Sequence, residues 1–236
     1  PLNGTCQITV PNLVAEATAT DNCDASVQIT QSPIAGTLIA SGEGTTHNIT
    51  ITADDGNGNT TTCTVVLTGD DDIDPVITTC PADRTLSLNA TCQITVPNLV
   101  AEATATDNCD ASVLITQSPL AGTTIASGEG TTHNITITAD DGNGNTTTCT
   151  VVLTGDDDTD PVITTCPADR TLPLNATCQI TVPDLVAEAT ATDNCDASVL
   201  ITQSLIAGTL IASGEGTTHN IIITADDGNG NTTTCT

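Results

Sequence analysis

Apolar and polar residues alternate through much of this chain. Leu86 and Leu88 flank Ser87, Ile94 and Val96 flank Thr95, and Ile135 and Ile137 flank Thr136. That period of two belongs to strands with one buried face. The segment from Thr132 (THNITITADDGNGNTTTCTVVLTG) reads as two such strands joined by a Gly- and Asn-rich turn at 140–145. Residues 99–105 (LVAEATA) have helical propensity, but their threonines and the preceding Pro97 favour an extended or irregular segment. Short strands with turn signals and no convincing helix predict an all-β fold, an immunoglobulin-like sandwich of about seven strands.

The pattern recurs. TCQITVP begins at Thr5, Thr91 and Thr177, a period of 86 residues. The predicted division is a partial first repeat over 1–69 that lacks its first strand, a second over 70–155 with an acidic leading linker, and a third over 156–236 cut before its last strand. Differences between repeats test the alternation: Leu114 corresponds to Gln28, between inward Val113 and Ile115, as an outward position allows. Pro173 in place of Ser87 requires an edge strand.

Composition makes the core light, since the chain has no Phe, Tyr, Trp or Met. Units of this size with only aliphatic cores commonly need cross-links. The cysteines repeat with the unit: Cys80, Cys92, Cys109 and Cys149, then Cys166, Cys178, Cys195 and Cys235, with Cys6, Cys23 and Cys63 in the first repeat. Such regularity is a disulfide pattern, and four cysteines per unit leave three connectivities open. No CxxC pair supports zinc. Disulfides place the chain in an oxidising, extracellular or cell-surface compartment. The odd total of 11 follows if the first repeat is cut before its own opening cysteine, and any targeting or anchoring segment is expected outside this window.

Charge narrows the partners. With 29 acidic residues against two cations the net charge is −27, which excludes nucleic acid and anionic membrane surfaces, and no segment has the apolar length of a membrane span. Catalysis finds no support: His47, His133 and His219 are one repeated position without a recurrent Ser–His–acid grouping, so the chain is expected not to be an enzyme. Arg84 and Arg170 are expected to pair locally with Asp83 and Asp169.

The order CPAD at Cys80, ATDNCD at 105–110, SGEGTTHNITITADDGNGN at 127–145 and a closing Cys149 resembles the hyalin repeat, or HYR domain, over the whole unit. One departure is Ile137 where that family carries an aromatic residue. The resemblance implies an immunoglobulin-like fold, an extracellular adhesive or structural role as in large bacterial surface adhesins, and first-to-last with middle-to-middle cystines. The implied pairs are Cys80–Cys149 with Cys92–Cys109, Cys166–Cys235 with Cys178–Cys195, and Cys6–Cys23, leaving Cys63 for a partner upstream.

In such a unit the loop at 107–110, the loop at 139–145 and the incoming linker at 70–74 meet at one pole. Carboxylates about 5 Å apart repel by about 3 kcal/mol per pair at an effective dielectric near 20. Calcium, which takes oxygen ligands from flexible loops, would remove that cost. The expected ligands are Asp70, Asp72, Asp74, Asp107, Asp140 and Asp141, and equivalently Asp156, Asp158, Asp160, Asp193, Asp226 and Asp227. The expected function is a structural fibre or stalk stiffened by calcium at its junctions, partnered by neighbouring repeats or copies of itself. A strand donated between copies is another source of fibre order. The alternative is a multivalent adhesin that binds surface glycans.

Overall fold

A computed structural model describes residues 1–236. The chain is all-β, its strands joined by turns, with only three short 3-10 turns. Those turns, Val14–Glu16, Val100–Glu102 and Val186–Glu188, fall in the LVAEATA segments expected to be extended or irregular. Each stops after three residues because the next alanine returns to extended backbone, and Thr104–Thr106 and Thr190–Thr192 then continue as strands. The second repeat carries eight strands, one more than expected.

Two compact units divide the chain, and their boundary passes through the middle repeat. Unit 1 comprises Pro1–Pro81, Asn98–Pro119 and Ile135–Val151; unit 2 comprises Ala82–Pro97, Leu120–Asn134 and Val152–Thr236. In unit 1, Gln28–Ser32, Thr46–Asp54 and Thr60–Thr68 form an antiparallel sheet, and Gln7–Thr9 pairs with Leu38–Ala40. Val76–Thr79 pairs with Thr104–Thr106 across a register shift. Val10, Ile49 and Ile51 make one core, packed by Leu13, Ile29, Ile39, Val65 and Leu67. The alternation in NITIT thus delivers Ile49 and Ile51 inward, as expected of a half-buried strand.

Unit 2 repeats these pairings with Gln179–Thr181 against Leu210–Ala212 and with the sheet Leu200–Gln203, Ile223–Asp226, Thr232–Cys235. Arg84–Ser87 runs parallel to residues 153–156. Leu185, Ala189 and Ile223 form a core lined by Ile201, Ile221 and Cys235. The outward position that differs between repeats is outward in fact, with Leu114 and Leu200 each 63% exposed.

Four cystines close the structure. Cys80–Cys149 and Cys166–Cys235 lie within single repeats, each joining residues 69 apart. The other two correct the expected pairing: Cys6 bonds Cys109 and Cys92 bonds Cys195, each 103 residues apart and in successive repeats. Cys23, Cys63 and Cys178 are free and exposed, so Cys6–Cys23, Cys92–Cys109 and Cys178–Cys195 do not form. The reason is where the two middle cysteines sit. Cys6 accepts the Ser41 N–H through its carbonyl, beside the turn that binds the outgoing linker through Gly69 and Thr45. Cys109 sits in the loop that meets the incoming linker. The second cysteine of a repeat therefore lies at its outgoing end and the third at its incoming end.

Candidate metal centre at the repeat junctions

Each linker is an acidic segment held on both sides by hydrogen bonds. In unit 1 the Leu2 N–H donates to the Asp70 carbonyl (2.8 Å). The Asp71 N–H donates to Glu43 Oε2 (2.7 Å), from the SGEG turn of the preceding repeat. The Asp71 carbonyl accepts Asn145 Nδ2–H (2.9 Å), from the ADDGNGN loop of the following repeat. Unit 2 has the same clasp: the Asp157 N–H donates to Glu129 Oε2 (2.7 Å) and its carbonyl accepts from Asn231 Nδ2 (2.7 Å). Gly155 makes this approach possible, because a Cβ there would lie 2.6 Å from the Gly128 carbonyl oxygen.

The loops that receive the linker are built on their own aspartates. Asp107 Oδ1 accepts the N–H groups of Cys109 (2.7 Å) and Asp110 (3.1 Å), and Asp141 Oδ1 accepts those of Asn143 (2.8 Å) and Asn145 (3.1 Å). Asn143 Nδ2 ties the loops together through Asp110 Oδ2 (2.6 Å). These are the short-range Asx turns that make Asp and Asn frequent in loops.

Carboxylates then converge. One oxygen each from Asp71, Asp110 and Asp141 lies within 4.8 Å of the others, and Asp157, Asp196 and Asp227 repeat the group. Asp71 and Asp107 also group with the Cys109 sulfur, which is held in the cystine and is no thiolate ligand. Asp71 is 4% and Asp157 3% exposed, yet the Oδ2 of each has no hydrogen-bond partner, and the Oδ2 atoms of Asp107 and Asp193 are likewise buried and unpaired. An unpaired buried carboxylate oxygen is costly. Burial pushes the Asp71 carboxyl above the usual aspartate range, against the Ile73 N–H, and the negative Asp107, Asp141 and Asp110 add to it. Asp157 is raised in the same way, with Asp193, Asp196 and Asp227 as neighbours. Burial also pushes Asp141 and Asp227 up, but hydrogen bonds from Asn143 and Asn145, or Asn229 and Asn231, outweigh it and leave both below the usual range.

Of the expected ligands, Asp107 and Asp141 each group with Asp71 at the first junction, and Asp227 groups with Asp157 at the second, where Asp193 is a neighbouring charge. The alternate linker acids do not: Asp70, Asp72 and Asp74 are exposed, as are Asp158 and Asp160, and Asp158 Oδ2 accepts the Ser87 hydroxyl. Asp140 and Asp226 spend Oδ1 on the Gly142 and Gly228 N–H groups, and Asp156 gives its carbonyl to Leu88. The linker acids brought to the loops are Asp71 and Asp157 rather than their expected neighbours. In an extended linker Asp71 shares a face with Ile73 and buried Pro75, so Asp71 turns inward and its neighbours turn to solvent. The apolar Ile73 and Pro75 were the available signal. Asp110, Asp196 and the clasping Glu43 and Glu129 were also missed; nothing local marks the glutamates.

Other polar groups have structural partners. His47, His133 and His219 each bond a serine hydroxyl, Ser41, Ser127 and Ser213, through Nε2 at 2.9–3.0 Å. Each of these histidines is half-buried. Arg170 forms a bidentate pair with Glu188 rather than with Asp169, and Asp83 accepts the Val152 N–H.

No family model matches the chain, and no curated protein matches it. Among solved structures it is similar to Sidekick-1 immunoglobulin domains 1–4, at 11% identity and TM-score 0.36, over 98% of this chain and 70% of that one. It is similar to PcdhgB3 EC1-4 at 18% and 0.35, over 90% and 63%, and to protocadherin gamma C5 EC1-3 at 16% and 0.39, over 100% and 96%. The chain spans less than two thirds of the PcdhgB3 structure. At these TM-scores the likeness assigns no function. The four cystines mark a chain that folds in an oxidising compartment, and no helix is long and apolar enough to cross a membrane.

Proposed function

We propose that the chain works as an extracellular or cell-surface stalk of tandem HYR-like repeats, bounded at 1–69, 70–155 and 156–236, whose junctions calcium stiffens. The observation that carries this reading is the unpaired, buried Oδ2 of Asp71 among the Asp107, Asp110 and Asp141 carboxylates, repeated at Asp157. A hard divalent cation suits an all-oxygen set of loop ligands, and extracellular modules take calcium at millimolar levels. Asp71, Asp107, Asp110 and Asp141 would hold one ion, and Asp157, Asp193, Asp196 and Asp227 another. The ion supplies positive charge where three chain segments crowd negative charge, and so holds linker and loop together. Without it the acidic linker repels the loops it touches.

Small-angle scattering on the oxidised chain, with millimolar calcium and then with chelator, tests this. Chelation should shorten the maximum dimension and raise flexibility. An unchanged profile would sink the calcium reading and turn attention to direct packing or strand exchange as the source of fibre order.

The adhesin reading draws on a different observation. Ile34, Leu120 and Ile206 occupy one repeated position and are 71–79% exposed, a weak apolar contact presented once per repeat. Repetition converts weak contacts into avidity. Specific binding on a glycan array would favour this reading over the stalk.

A further inference from the structure

The cystine between repeats and the carboxylate group share one loop. Cys109 lies between Asp107 and Asp110, and the N–H groups of Cys109 and Asp110 both bond Asp107 Oδ1. Its partner Cys6 is held on a stiff support. The Asn3 side chain accepts the N–H groups of Thr5 and Gln7 (3.0 Å each), the Cys6 N–H donates to the Asn3 carbonyl (2.9 Å), and Cys6 adopts a left-handed φ of 58°. Asp71 is tied to the same preceding repeat through Glu43. Two of the segments that bring carboxylates, linker and loop, are therefore anchored to one body. The second junction has the same parts: Cys92, φ 54°, on the Asn89 turn, Cys195 between Asp193 and Asp196, and Asp157 tied to Glu129.

We propose that each cystine between repeats sets the cation affinity of its own junction by holding the DNCD loop in place before the ion arrives. This rests on the cation reading above. Preorganisation raises affinity by removing the ordering cost that binding would otherwise bear. Cys6 and Cys109 are positioning residues, since their sulfurs need not touch the ion.

The test is calorimetric titration of calcium into the oxidised chain, with Cys23, Cys63 and Cys178 changed to serine in every protein to prevent exchange. The parent should show two similar sites. Cys6→Ser/Cys109→Ser should weaken one site by about tenfold and leave the other unchanged, and Cys92→Ser/Cys195→Ser should do the same with the roles exchanged. Repeating the titration in Asp71→Asn and Asp157→Asn backgrounds, each with one junction disabled, identifies which junction changed. Two undiminished sites in either double variant overturn the proposal and leave the cation reading standing. Equal weakening of both sites also overturns it, because the bond then acts on the whole fold. A parent that binds no calcium defeats the cation reading and the proposal with it.

Discussion

The loops at 53–59 and 139–145 have the same sequence, ADDGNGN, and the same internal hydrogen bonds. Asp55 Oδ1 accepts the Asn57 and Asn59 N–H groups at 2.8 and 3.0 Å, and Asn57 Nδ2 reaches Asp24 as Asn143 reaches Asp110. The second also meets the linker at 70–75. Asn145 Nδ2 reaches the Asp71 carbonyl, Asp141 is buried and a carboxylate group forms, whereas Asn59 is exposed and Asp55 only half-buried. The Asn59 side chain and Asn57 N–H hold Asp55 below the usual range, with no counterpart to the raised Asp71 beside it. The loop supplies a preformed half-site, and the junction completes it.

Removing the linker's contribution should make the two loops alike. Asp71→Asn is expected to lower calcium affinity at its junction on the order of 100-fold, while stabilising the metal-free protein by about 1 kcal/mol through loss of a buried, repelled charge. Calcium titration with thermal unfolding checks both signs, and a metal-free protein that is less stable would contradict the account. Asparagine truncation is gentler. Asn145→Ala should cost about 1 kcal/mol more than Asn59→Ala, because only Asn145 also bonds the linker; chemical denaturation measures the difference.

The smallest expected effect is in pH. Asp71 is raised in the fold, so the folded state binds more protons than the unfolded one, and the metal-free junction loses stability as pH rises through the range just above the ordinary aspartate value. Asp141 and Asp55 are lowered, so their contribution is present above that value and is lost as pH falls below it. Melting curves against pH should therefore show a decline just above the ordinary aspartate value that saturating calcium abolishes. The control is Asp71→Asn/Asp157→Asn, which should lose that decline without any metal.

Much of this architecture could be read from the chain. The period of two placed Ile49, Ile51, Ile135 and Ile137 inward, and the Gly-Asn turn after Asp140 ended the long strand where the structure ends it. The convergence of acids was legible as a region but not as a set of atoms. Local pattern could not say that Asp71 faces in and Asp70 out without fixing the phase of a short linker, and Ile73 and Pro75 were weak anchors for that phase. The partner of Cys109 was hidden for a different reason. Connectivity depends on which ends of neighbouring repeats meet, and the resemblance to single repeats carries no information about contacts between them.

The cystine between Cys80 and Cys149 has a mechanical consequence. A chain pulled from its two ends transmits tension through that bond, so the 69-residue span it closes is shielded from load. Between that bond and Cys166–Cys235, the stretch from Cys149 to Cys166 is the part that could lengthen under force. At about 3.5 Å per extended residue this 17-residue stretch lengthens to roughly 60 Å, against roughly 300 Å for a whole uncrosslinked repeat. The Cys92–Cys195 bond spans that stretch in parallel and reduces the slack further. Under load the two cystine-closed spans would thus stay folded while the short stretch between them takes up the extension.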